Sequence, residues 1–191
     1  MLLLTRPSDT SIRAVLDAQR RLPFSYAEVG AADGAPPPGY AVDRSRVRLG
    51  AGQVVFERAC AALRRWEHIP TGWMRLLWPD VPLAPEATVG VLVGLPGLWA
   101  LSACRVAYLI DEGGPVRRFG FGWGTLPAHV ARGEERFVVE WRAEDDSVWY
   151  DIVAFSRPNH PLLRLGYPAM RLMQRRFARD SRRAMVRAAL D

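Results

Sequence analysis

This chain has no lysine. All 26 basic residues are arginine, set against 20 acidic ones, and the formal net charge is +6. A surplus of this kind attracts polyanions without selecting among them. The plainer source of an all-arginine composition is codon bias in a GC-rich genome, which also accounts for the abundant Ala, Gly and Pro. Cysteine is scarce too. Cys60 and Cys104 lie far apart, form no CxxC pair and match no metal-ligand spacing, so they read as buried free thiols. Histidine is limited to His68, His129 and His160. No HExxH, GxSxG, Walker or GxGxxG pattern occurs, which removes the standard signatures of zinc, acyl-transfer, nucleotide and dinucleotide chemistry. We expect no cofactor and no metal. No apolar run approaches the roughly 20 residues that cross a bilayer. MLLLT at the start is too short for a signal-peptide core. A cytoplasmic protein without a transmembrane segment is the expectation.

What is present suits a packed domain. The 191 residues are 49% hydrophobic, enough for one sizeable core. We expect a single domain over 1–191, with an N-terminal helix and loop over 1–44 and a core over 45–191. Pro7, Ser8 and Asp9 supply helix-start chemistry for RPSDTSIRAVLDAQRRL, and Ile12, Val15 and Leu16 follow at helical spacing. A Pro/Gly loop runs from Ala32 to Tyr40. SRVRLG, Ser45 to Gly50, alternates as a strand does. AGQVVFERACAALRRWEHI carries Val55, Ala59, Ala62, Leu63 and Trp66 on one helical face. TGWMRLLWPDVPLAPE, rich in aromatics and proline, is left unassigned.

From Ala87 the period changes. ATVGVLVGL, LWALSACRVAYLID, PVRRFGFGWGTL, ERFVVEWRAE and SVWYDIVAFSR read as successive strands, joined by hairpin-like DEGGP and AEDDS. Connections this short make the sheet antiparallel. The chain closes on a long amphipathic helix with Met170, Met173, Phe177, Ala184 and Ala188 on one stripe and arginines, Arg175 and Arg176 among them, over the rest. A sheet with one apolar face needs a cover, and this helix supplies it. The predicted class is α+β: a helix-grip, with a curved antiparallel sheet on a long C-terminal helix and an apolar cavity between them.

The same segments carry a resemblance. RPSDTSIRAVLDAQ, PFSYAEVG, RVRLGAGQVVFERACAALRRW, GLWALSACRVAYLIDE, RRFGFGWGTLPAHVARGEERF, DDSVWYDIVAFSRP and LGYPAMRLMQRRFARDS resemble the bacterial and plant family called domain of unknown function nineteen-ninety. That family falls within the START-like superfamily of lipid-transfer domains, birch-pollen-type allergens and polyketide cyclases. The resemblance spans nearly the whole chain and implies a hydrophobic pocket; it implies fold more than activity.

Side-chain alternation then proposes the walls of that pocket. Phe119, Phe121 and Trp123 share one face of their strand, and Gly120, Gly122 and Gly124 the other, where glycine marks a bend or a close approach. Phe137, Val139 and Trp141 share a face of the next strand. Trp149, Asp151, Val153 and Phe155 share a face of the last. In the strand from Trp99 the set is Trp99, Leu101, Ala103, Arg105, Ala107 and Leu109. We assign all four sets to the concave face, under Met173 and Phe177 of the closing helix, as the site of a small apolar or amphipathic ligand. Arg105 and Asp151, charged on otherwise apolar faces, are expected to pair with each other or with a ligand head group. A strand bulge that turns one of them to solvent is the competing reading.

Two further readings remain open. His129 with Glu134 or Glu135 has the composition of a general base and its orienting carboxylate, placed at the pocket mouth as in the cyclase-like members of the superfamily. The plainer reading is a polar hairpin loop. The arginine face of the last helix fits anionic lipid head groups or nucleic acid; the plainer reading is a solvated face, with no specific nucleic-acid partner.

Overall fold

The computed structural model describes residues 1–69, 72–78, 80–159 and 166–190. His160 lies outside them. After a two-residue strand β1 (Leu2–Leu3), helix α1 (Asp9–Gln19) starts where Ser8 Oγ accepts a hydrogen bond from the Ser11 backbone N–H at 3.2 Å. Its buried residues, Ile12 and Leu16, are one turn apart, and each contributes about 1.5–3 kcal/mol by leaving water. β2 (Ala41–Ala51) leads through Gly52, at a φ of 89°, into α2 (Gln53–Arg64). Residues left unassigned by pattern then form β3 (Met74–Leu77). The meander follows: β4 (Thr88–Leu95), β5 (Leu98–Glu112), β6 (Val116–Thr125), β7 (Ala131–Arg142) and β8 (Ser147–Pro158). α3 (Tyr167–Leu190) closes the chain.

All strand pairings are antiparallel, in the spatial order β2-β8-β7-β6-β5-β4-β3, with β1 added against β5. The sheet curls round α2 and α3, so the predicted α+β helix-grip is the architecture found. α3 buries Phe177, Ser181, Met185 and Ala189, every fourth residue. The stripe therefore runs one position beyond the expected Ala184 and Ala188. Ser181 enters the core because its hydroxyl meets the buried Tyr150 hydroxyl at 2.9 Å.

The outer face of the sheet is covered as well. α1 packs on Leu92, Leu101 and Ala103, and the segment from Phe24 to Ala32 lies across β6 and β8. This explains two of the three alternating glycines, Gly122 and Gly124. A Cβ on Gly122 would strike the Tyr108 ring, and one on Gly124 would strike Tyr26 and Phe24. The bare face of β6 is where two tyrosines lie down.

Candidate functional site

The inner face has two ends. Under α2, Phe119, Phe121, Phe137 and Val139 are buried with Trp66 and His68. Phe121 and Phe137 rings lie 5.2 Å apart, and Trp66 meets Phe121 edge-on at 5.3 Å. His68 sits 4.6 Å from the Phe137 ring, with neither ring nitrogen hydrogen-bonded among the described residues. Burial lowers its pKa to about 3, so it is neutral. Trp141 extends this end, its ring 5.9 Å from Phe56. This end is filled core.

Under the first half of α3 the same face opens into a cavity of about 380 Å³. The room comes from residue size. Inward positions on β5 are Ala100, Ser102 and Cys104, and on β8 they include Ala154 and Ser156. Trp123 forms one wall, and Met173 and Phe177 the roof. The roof is fastened at the rim: Arg171 forms a double ion pair with Asp43 on β2, and Gln174 Nε2–H donates to Ser156 Oγ at 2.8 Å.

Glu135 stands in this apolar wall, opposite Trp123 on β6 and Ala154 on β8. It is half-buried, and what it exposes faces the cavity. Desolvation pushes its carboxyl up to about 8; a hydrogen bond from Trp123 opposes this, and the nearby charge of Asp43 adds to it. Near neutral pH Glu135 is therefore largely a neutral acid. His129, in the loop after β6, also borders the cavity. Burial first, then the N-terminal ammonium, lower its pKa to about 4, against a backbone hydrogen bond with Ala131. Its Nδ1 accepts the Ala131 N–H at 2.9 Å.

Glu134 goes the other way. Its carboxylate is buried on the outer face, where it accepts from Tyr26 Oη (2.7 Å), Gly30 N (2.8 Å), Ala32 N (2.9 Å) and Tyr108 Oη (3.1 Å). It pins PFSYAEVG to the sheet. No ion pair joins His129 to either glutamate among the described residues. The expected base–carboxylate couple is not formed, because the backbone takes His129 and opposite strand faces separate the two acids.

Of the ligand residues proposed from alternation, Trp123, Met173, Phe177 and Phe155 border the cavity. The Phe155 ring nonetheless packs outward, 5.7 Å from Tyr26 and 5.1 Å from Tyr40. Two of the four face assignments need correction. On β8 the inward set is Val148, Tyr150 and Ile152. Trp149, Asp151, Val153 and Phe155 therefore point outward, with Trp149 under the Arg46 guanidinium at 4.8 Å. On β5 the inward set is Ala100, Ser102 and Cys104. Leu101 and Ala103 pack on α1 instead, and Trp99 flanks them. A bulge between Val106 and Tyr108 changes the alternation farther along. Arg105 and Asp151 do not pair. Arg105 reaches the backbone carbonyls of Arg20 and Leu22 and the Glu86 carboxylate at 3.4 Å, and Asp151 pairs with Arg136. The physical reason is shared. With the outer face also covered, both alternate sets are apolar, and period two cannot say which is inside.

Comparison with known proteins agrees with this architecture. The model of the family described as "Domain of unknown function (DUF1990)" matches residues 25–184. A UPF0548 protein of Dictyostelium discoideum is 36% identical over 207 residues, covering 98% of this chain and 95% of its own. One from Deinococcus radiodurans is 40% identical over 205 residues, covering 99% of both. The relatives thus include a eukaryote, and membership does not make a chain bacterial. Among solved structures, hypothetical protein jhp0584 of Helicobacter pylori is similar at 12% identity and a TM-score of 0.51, over 83% of this chain and 92% of that one. Human STARD10 is similar at 10% identity and a TM-score of 0.46, over 97% and 81%. At such identities the likeness to jhp0584 is one of fold alone.

Proposed function

We propose, from the premise that this chain belongs to the DUF1990 family, that it binds an apolar or amphipathic small molecule in the cavity under α3. One observation carries this reading: an apolar space of about 380 Å³ with a few placed polar groups, inside the range of roughly 300–1,000 Å³ common to small-molecule sites. The whole chain, 1–191, acts as one domain in this reading. Its place is the cytoplasm, in keeping with two buried, free cysteines. Among the described residues no helix is long and apolar enough to cross a membrane.

Native mass spectrometry of protein purified from its own host tests it. The expected result is a stoichiometric bound molecule, lost when Ala154→Trp fills the cavity. Wild-type protein that carries nothing and takes up no 1-decanol would overturn it.

A second reading, proton-transfer catalysis in the same cavity, is favoured by one observation: Glu135 is held largely protonated near neutral pH and faces that space. Glu135 would be the acid and His129 the base. The third reading, a basic surface, has less behind it. Arg176 faces Asp180 at 3.6 Å and lies 4.6 Å over the Trp73 ring.

A further inference from the structure

We propose that the cavity selects an amphipathic amine, its apolar body lying against Trp123, Met173 and Phe177 and its ammonium head against Glu135. This rests on the reading of the cavity as a small-molecule site.

The argument begins with how the acids near the cavity are used. Glu134 is saturated by four donors, Asp43 is held by Arg171, and Asp151 by Arg136. Glu135 has neither a cation such as holds Asp43 and Asp151 nor a set of donors such as holds Glu134 among the described residues, only the hydrogen bond from Trp123, and it borders the open space on the inner face beside that ring. A carboxyl kept in an apolar wall without a cation is costly unless something arrives to pair with it.

The remaining groups around it set the sign of that partner. Asp43 faces it from β2, Cys104 from β5, His129 from the loop after β6, and Tyr150 lies near it on β8. Burial raises the Cys104 thiol and the Tyr150 phenol, so both are neutral, and His129 is neutral above about pH 4. From α3, Arg171 is engaged by Asp43, and no arginine is among the described residues that line the cavity. Among the described lining residues a carboxylate or phosphate head would meet acids and no cationic side chain. An ammonium would meet Glu135, with Ser45 and Ser102 as hydroxyl acceptors. When an ammonium enters a site where Glu135 is protonated, the carboxyl O–H bond breaks, its proton leaves to water, and the carboxylate pairs with the ligand. The ligand keeps all its protons, since an alkylammonium titrates near 10 as lysine does.

The overall charge sharpens the inference. A molecule of net charge +6 repels cations from its surface and draws anions to it. Any preference for an amine over an isosteric alcohol must then arise locally.

The test uses decylamine, 1-decanol and decanoate, titrated calorimetrically at pH 8.5 into wild type, Glu135→Gln and Glu135→Asp. In wild type, decylamine is expected to bind at least about tenfold more tightly than 1-decanol, about 1.4 kcal/mol, with decanoate weakest. The preference should vanish in E135Q and persist in E135D. Equal affinities for decylamine and 1-decanol in wild type overturn the inference while leaving the pocket intact, and that comparison needs no variant to fold. An amine preference that survives in E135Q overturns it equally. If none of the three probes binds, the small-molecule reading falls, and this inference falls with it.

Discussion

The two ends of the inner face share one sheet and differ in what their side chains leave behind. Under α2, β6 and β7 contribute Phe119, Phe121, Phe137 and Val139, and these form one buried cluster with Phe56, Leu63 and Trp66. Under the first half of α3, β5 and β8 contribute alanines, serines and a cysteine, and the face stays open. Backbone curvature is common to both ends; side-chain volume decides which is core and which is site. Truncation should expose the asymmetry. Phe137→Ala is expected to cost about 3–5 kcal/mol, because it digs a new void in close-packed surroundings. Met173→Ala enlarges a void that already exists, so it should cost about 2 kcal/mol or less and act mainly on 1-decanol affinity. Urea unfolding measures both. Equal losses would erase the distinction between the two ends.

Adjacent residues repeat the contrast across the sheet. Glu134 is built in by four hydrogen bonds; Glu135 is left facing a space. In Glu134→Gln one carboxylate oxygen becomes an NH2 group, which faces either Gly30 N–H with Tyr26 Oη or Ala32 N–H with Tyr108 Oη. Each buried donor left without an acceptor costs about 1–3 kcal/mol, so thermal unfolding should register a clear loss. A variant as stable as wild type would show that the outer segment does not depend on this anchor.

How much of this was legible beforehand follows from the same contrast. Element order, the antiparallel meander and the closing helix were legible because hairpin-length connections and a change of period leave few alternatives. On β6 the inward face was also legible, because Phe119, Phe121 and Trp123 alternate with glycine. On β5 and β8 it was not. Leu101 and Phe155 are as apolar as Cys104 and Ile152, and only the placement of α1 and of Tyr26 decides between them. Glu135 was named as a partner for His129; its cavity position depends on the register that sets it beside Trp123. Asp43, Ser156 and Gln174 had no signal at all. They matter through β2–β8 pairing and the seat of α3, which join residues more than a hundred positions apart in the case of Asp43 and Arg171.

Acidity separates the two ends in opposite directions. Glu135 at the open end is raised from an ordinary 4.5 to about 8. The stability its neutral form supplies is full below pH 4.5 and is lost as pH rises through 8. Glu135→Gln should therefore flatten that decline and be more stable than wild type above pH 8. His68 at the filled end is lowered from 6.5 to about 3, so its contribution is full above pH 6.5 and is lost as pH falls toward 3. His68→Leu should flatten the acid limb in part, leaving the share due to His129. Unfolding free energies measured from pH 3 to 9 check both signs, and parallel curves for wild type and E135Q would remove Glu135 from the account.

The smallest expected effect concerns the fastening of the roof. At the filled end α2 is held by buried apolar area, which does not open piecemeal. At the open end the first turns of α3 are held by Arg171 on Asp43 and by Gln174 on Ser156, at the cavity rim. Polar contacts half-exposed to water contribute little net stability, about 0.5–1.5 kcal/mol for an ordinary hydrogen bond, yet they must break if this part of the helix is to lift. Gln174→Ala should therefore leave the melting temperature nearly unchanged and raise the dissociation rate of 1-decanol by several-fold, with a smaller change in affinity because entry is eased as well. Stopped-flow dissociation reads this directly. An unchanged rate would mean that the ligand leaves by another route, past Trp73 and Met74, and that the roof of the open end is as fixed as the packing at the filled one.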